Sequence, residues 1–168
     1  IICIFAAQMG KPDTYIIDLK RILTGPVEFG YHLDDAFFTA VEAGEILGGQ
    51  VDAKVRVEPH GGHHVLSFSM QGVVRLTCDR CLDEMDCPVD VQRALRTKFG
   101  PEFSDEGDDL VIVSETEGTI DIGWYLYEFI ALGLPMQHRH EDGGCNEAMM
   151  RALEAHRVDD AGEEDEAD

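Results

Sequence analysis

Basic residues are scarce in this chain. Lys and Arg number 13 against 34 Asp and Glu in 168 residues, a formal net charge of −21. Proteins that grip nucleic acid neutralise phosphates with clustered Lys and Arg, so the shortage disfavours direct RNA binding through a broad basic face. A basic protein partner fits the field better. Long apolar runs are absent too: nothing approaches the ~20 residues of a membrane-spanning helix, and no membrane association is expected. The apolar run Ile1 to Ala7 lacks a basic flank and is short for the core of a signal peptide. Met9-Gly10-Lys11-Pro12 reads as the true start, which makes residues 1–8 an upstream extension or a mis-assigned start. Cysteine is sparse and odd in number (Cys3, Cys78, Cys81, Cys87, Cys145), which excludes a disulfide scaffold and favours the cytoplasm. No glycine-rich phosphate loop and no nucleophile elbow occurs, so neither an enzyme nor a small-molecule substrate is expected. There is no internal repeat.

What the chain does have is enough apolar material, 44% of residues, to build a core. Residues 9–158 are expected to form a single domain. The segment 159–168 holds seven acidic residues and no basic one, and is expected to be a disordered tail. Thr14 to Leu19 and Val27 to Leu33 read as short strands about the turn Thr24-Gly25-Pro26, and Ala36-Phe37-Phe38 as a single helical turn. Val51, Ala53, Val55 and Val57 alternate with charged residues, the pattern of a half-buried strand. Beyond a tip at His60 to His63, Leu66, Phe68 and Met70 continue the alternation; Gly72 interrupts it, and Val73 to Thr77 resumes. Pro88 to Phe99 and Leu110 to Val113 are further strands, separated by a polar loop from Pro101 to Asp109. Thr119-Ile120-Asp121 offers a cap for a helix carrying Ile122, Leu126, Phe129 and Ile130, stopped at Gly133-Leu134-Pro135. A second helix follows Asn146, with Met149, Met150 and Leu153 as its apolar side. The fold class is therefore α+β: an antiparallel sheet, open or barrel-like, with one or two helices packed on it.

The sharpest chemical signal is Cys78-Asp79-Arg80-Cys81. A C-x-x-C pair sets two thiolates on one side of a tight turn, as one half of a tetrahedral zinc site requires. The segment Gln137 to Cys145 supplies the other half. His140 and Cys145 are the preferred ligands, His138 competes with His140, and Gly143-Gly144 lets the backbone wrap an ion. A Cys3His set leaves no open position, so the zinc would be structural. The bland reading is a chance pairing of cysteines at a strand end. A redox or metal-dependent enzyme using Cys78 and Cys81 is the functional alternative, but a redox pair wants its first cysteine at a helix N-terminus, and extended chain precedes this one. Cys87 reads as a strand residue, and His60, His63 and His64 as solvated residues of a hairpin tip. Arg75, Arg80, Arg93, Arg96 and Lys98 form one positive face only if Asp79, Asp83, Glu84, Asp86 and Asp90 project elsewhere.

The run Leu76-Thr77-Cys78-Asp79-Arg80-Cys81-Leu82-Asp83-Glu84 resembles the knuckle of the YceD-like proteins, named for large-subunit ribosomal RNA accumulation. Ile120-Asp121 ahead of a helix, then Leu134-Pro135-Met136, resembles the second motif of that family. The resemblance runs from about Tyr15 to Leu153. It departs at His138, His140 and a single Cys145, where many members carry a cysteine-rich cluster. Tyr15 to Lys20 and Asn146 to Met149 resemble the version found in Bacteroidetes-type bacteria. The resemblance implies a role in producing or maintaining 23S ribosomal RNA during large-subunit assembly. With the charge, it points to binding a basic ribosomal protein or assembly factor.

Overall fold

The computed structural model describes residues 4–5, 15–41, 44–107 and 109–156. The expectations for the start at Met9, for Cys3 and for the acidic tail fall on residues outside these. The chain is α+β, built on a seven-stranded sheet. Its strands are β1 (Ile4–Phe5), β3 (Val27–Leu33), β4 (Gly48–Pro59), β5 (His63–Thr77), β6 (Glu84–Gly100), β7 (Ser104–Asp105) and β8 (Leu110–Ser114). In space they run β1-β3-β4-β5-β6-β8-β7. The middle strands are antiparallel, whereas β1 lies parallel to β3 and β8 parallel to β6. Among the described residues the sheet stays open, with β1 and β7 at its edges, and does not close into a barrel.

Alternation dictates which face is buried. Val51, Ala53, Val55 and Val57 of β4 and Leu66, Phe68, Met70, Val74 and Leu76 of β5 all turn inward, while their neighbours meet solvent. Gly72 does not interrupt β5. The pairing with β4 and β6 runs straight through it, at Val51 and Val89. Helix α2 (Gly123–Gly133) covers the inner face through Leu126, Phe129 and Ile130, and the Phe129 ring meets that of Phe68 edge-on at 5.1 Å. Helix α1 (Asp35–Val41) is longer than a single turn. Asp34 Oδ1 caps it, accepting from Ala36 N (3.1 Å) and Phe37 N (3.2 Å), and Phe37 and Phe38 are buried.

Several sequence expectations are corrected here. β2 (Ile16–Asp18) does not join the main sheet or form a hairpin with β3; it pairs antiparallel with β9 (Thr119–Asp121), about a hundred residues away. Thr119-Ile120-Asp121 is thus a strand, and the N-cap of α2 is Ile122, with Asp121 Oδ1 receiving Gly123 N at 2.8 Å. The polar loop contains β7, paired with β8. His64 is not solvated: it is buried, its Nε2 hydrogen-bonded to Ile22 O at 3.0 Å. Trp124, at the start of α2, is 55% exposed. Helix α3 (Glu147–Ala155) buries none of its residues; Met149 and Met150 are half-buried. Among the described residues no helix is long and apolar enough to cross a membrane.

Candidate metal centre

The longest hairpin of the sheet ends in the C-x-x-C turn. Thr77 and Glu84 are the last paired residues of β5 and β6, so residues 78–83 form the connection. It closes on itself through Cys78 N to Asp83 O (2.8 Å) and Leu82 N to Cys78 O (2.9 Å). Leu82 has φ 64°, a left-handed conformation that costs a residue with a Cβ about 1 kcal/mol or more. That bend folds both cysteines inward, where Cys78 is 0% and Cys81 2% exposed.

A second loop, between α2 and α3, is clamped onto this turn by main chain and carboxylate together. Asp79 N donates to His138 O at 2.7 Å, and Asp79 Oδ2 accepts from His138 N at 2.7 Å. The clamp sets His140 over the thiols, with Nδ1 3.4 Å from Cys81 Sγ. His140 Nε2 lies 3.2 Å from Glu84 O; a carbonyl only accepts, so Nε2 carries the proton and Nδ1 is the nitrogen left to bind an ion. Gly143, at φ 86°, and the bond from Gly144 N to Glu141 O (2.8 Å) then return the chain so that Cys145 faces the same point. Asn146, capping α3 through Ala148 N and Met149 N, also donates from Nδ2 to Asp83 Oδ2 at 3.1 Å.

The ligand atoms of Cys78, Cys81, His140 and Cys145 all lie within 4.8 Å of one another and could hold a metal ion. A tetrahedral ion with sulfur bonds of about 2.3 Å sets its sulfurs about 3.8 Å apart, so these spacings need only a small contraction. His138 is not among the four. Its role is through the main chain, and its buried Nε2 has no partner among the described residues. Cys87 is a buried residue of β6, as expected, and stands outside the cluster.

The electrostatics fit a cation. Burial drives the Cys78 thiol up, but hydrogen bonds from the main-chain N–H groups of Cys81, His140 and Arg80 outweigh it and bring it down to about 6. Contact with the Cys78 side chain, above all, raises His140. Burial, then the nearby Cys81 and Cys78 sulfurs, pushes the Cys145 thiol up. Among the described residues no helix N-terminus meets Cys78, which lies at the end of a strand.

The cations around the turn do not gather on one face. Arg75 is held by Asp35 at 3.1 Å, and on β6 the side chain of Arg93 projects from the opposite face to Arg96 and Lys98. The clamp, the Asp83–Asn146 bond and the Glu84 carbonyl were missed by sequence reasoning; the Asp inside the C-x-x-C turn was the one available signal, as an acceptor for nearby N–H groups. Asp79→Ala should therefore lower stability by about 1 kcal/mol, the weak end for a charged hydrogen bond because the pair is exposed, or about 2–4 °C in melting temperature. Asp79→Asn, which keeps an acceptor, should cost less. Equal melting of all three proteins by circular dichroism would dismiss the clamp.

The profile of one protein family, described as Large ribosomal RNA subunit accumulation protein YceD, matches residues 66–168. No curated protein sequence and no solved structure matches the chain. The matched region starts within β5 and takes in both the C-x-x-C turn and the loop that brings His140 and Cys145 to it. Since the match covers well over half of the chain, this protein belongs to the YceD family.

Proposed function

We propose that this protein is a non-enzymatic, cytoplasmic accessory factor that supports 23S ribosomal RNA accumulation during large-subunit assembly. Its C-x-x-C turn is clipped to the α2–α3 loop by a structural zinc on Cys78, Cys81, His140 and Cys145. The observation that carries the pathway is the family match over residues 66–168. The donor set favours zinc: three thiolates and an imidazole suit a borderline-soft ion, and four protein ligands leave no position for substrate. The partner is a basic ribosomal protein or assembly factor. A net charge of −21 repels bare RNA and draws a basic surface in, chiefly by speeding encounter. Lasting contact needs apolar area as well, and Trp124 and Leu132 of α2 and Met136 just beyond it are exposed.

Cells lacking the protein should show less 23S relative to 16S RNA, restored by the wild-type gene. Pull-downs at moderate salt should recover a basic ribosomal protein or assembly factor, while binding to naked ribosomal RNA stays weak and collapses as salt rises. A normal 23S level in the deletion strain would remove the pathway; tight, salt-resistant binding of bare 23S RNA would replace the partner and leave the pathway.

A further inference from the structure

Strand β6 is flanked on both sides only near its C-terminal end. β5 accompanies it from Glu84 to Lys98, but β8 begins only at Arg96, opposite Leu110. The pairing with β5 is unbroken, so successive residues of β6 turn their peptide groups alternately toward β5 and away from it. Arg96 sets the parity, since its N–H donates to Asp109 O at 2.7 Å, on the side away from β5. By that alternation the Glu84 carbonyl also points away, and there His140 Nε2 takes it at 3.2 Å. Asp86, Pro88, Asp90, Gln92 and Ala94 between them therefore present their main-chain groups outward. Pro88 agrees: it lacks an N–H at a position that owes none to β5.

Among the described residues nothing bonds the N–H groups of Asp86, Asp90, Gln92 or Ala94. The one donor to a carbonyl of the row is the weak Cys87 thiol, 3.8 Å from Pro88 O. Glu84, Asp86 and Asp90 stand exposed on the solvent face of this edge. Beside it a groove of about 490 Å³ opens between Met85–Pro88 and the chain from Pro135 to Glu141, lined by Asp86 and Glu141 as well as by Met85, Pro88 and Pro135. An unpaired edge is a template for an added strand, and natural proteins usually cover or blunt one.

We infer that the β6 edge from Asp86 to Ala94 takes an extended basic segment of the partner protein as an added strand. Lys or Arg side chains on one face of that segment meet Glu84, Asp86 and Asp90, exposed along this edge. The inference rests on the basic-partner reading above and names its mode of binding.

The probe is a short fluorescent peptide of alternating Lys and Val, added to the full-length protein near physiological salt. It should bind, and amide exchange at Asp90, Gln92 and Ala94 should slow by about tenfold or more at saturation. Versions N-methylated at every second residue should lose about tenfold in affinity in the register that places the methyls against β6. Gln92→Pro removes one outward N–H without touching the β5 pairing, and should weaken the peptide about as much while melting as the wild type does. If that variant fails to fold, exchange and the methylated peptides decide. Equal binding of all peptides with those amides unprotected would overturn strand addition and leave a partner held by charge. Slow exchange at these amides in the free protein, or no peptide binding, would overturn it as well.

Discussion

Zinc removal by chelation, or Cys145→Ser, is expected to lower the melting temperature by about 10 °C or more. Structural zinc contributes on the order of 10–16 kcal/mol of apparent binding energy, comparable to the whole stability of a typical domain. The inner face of the sheet, built on Leu66, Phe68 and Met70, does not depend on the ion, so a core should survive. What must loosen is the loop holding His140 and Cys145, together with α3, which buries no residue and is tied to the turn through Asn146. Metal content, circular dichroism and amide exchange check this: one zinc per chain is lost, helical signal falls, and protection fades from residue 134 onward. His138→Ala should keep the zinc. In the metal-free protein the thiolate absorption of Cys78 should fade as pH falls through about 6, because its depressed pKa keeps it charged above that point. Full zinc and unchanged melting in Cys145→Ser would sink the assignment of the fourth ligand.

Gly72→Ala is expected to cost about 3 kcal/mol or more, near 10 °C in melting temperature for a chain of this size. A Cβ there would overlap Gln50 O and stand 2.7 Å from Val51 Cα, both main chain of β4. Backbone cannot swing aside as a side-chain tip can, so β4 and β5 would have to part in the middle of their ladder. Gly30→Ala is the control: on β3, a Cβ at Gly30 meets nothing within 4 Å, and the change should be neutral or slightly stabilising. Urea unfolding of both variants measures the difference, and equal midpoints would dismiss the close approach.

The same glycine shows where sequence reasoning stops. The alternation from Val51 to Val57 and from Leu66 to Met70 is a local signal, and it located β4 and β5 and their buried face. A glycine within such a pattern has two readings, a break or a place where another backbone comes close, and only the neighbouring strand decides. Pairing between distant short segments leaves still less trace. Nothing in Ile16-Ile17-Asp18 announces Thr119-Ile120-Asp121 as its partner, and β1, with two residues beside β3, carries no period at all. His64 looked like a tip residue because glycines precede it, yet it is already in the inward register of β5. That Cys78, Cys81, His140 and Cys145 would gather was legible because soft donors at such spacing are rare. The clamp beneath them was not, since Asp79 and main-chain atoms have no distinctive pattern.

The two halves of the cluster also reach one another by unequal routes along the chain. Cys78 and Cys81 share the short connection 78–83, whose ends are joined by the first pair of a 15-residue strand, whereas His140 and Cys145 arrive only after β6, β8 and α2 have been placed. Closing the near loop carries a small entropic cost and closing the far one a larger cost. A growing chain can therefore zip β5 onto β6 from the Thr77–Glu84 end as soon as Gly100 has been made, while the second loop waits for α2 to dock. Assembly of this centre is in that sense a report on the order of folding: a hairpin can present two thiolates early, and the set of four is complete only when the helix lies on the sheet.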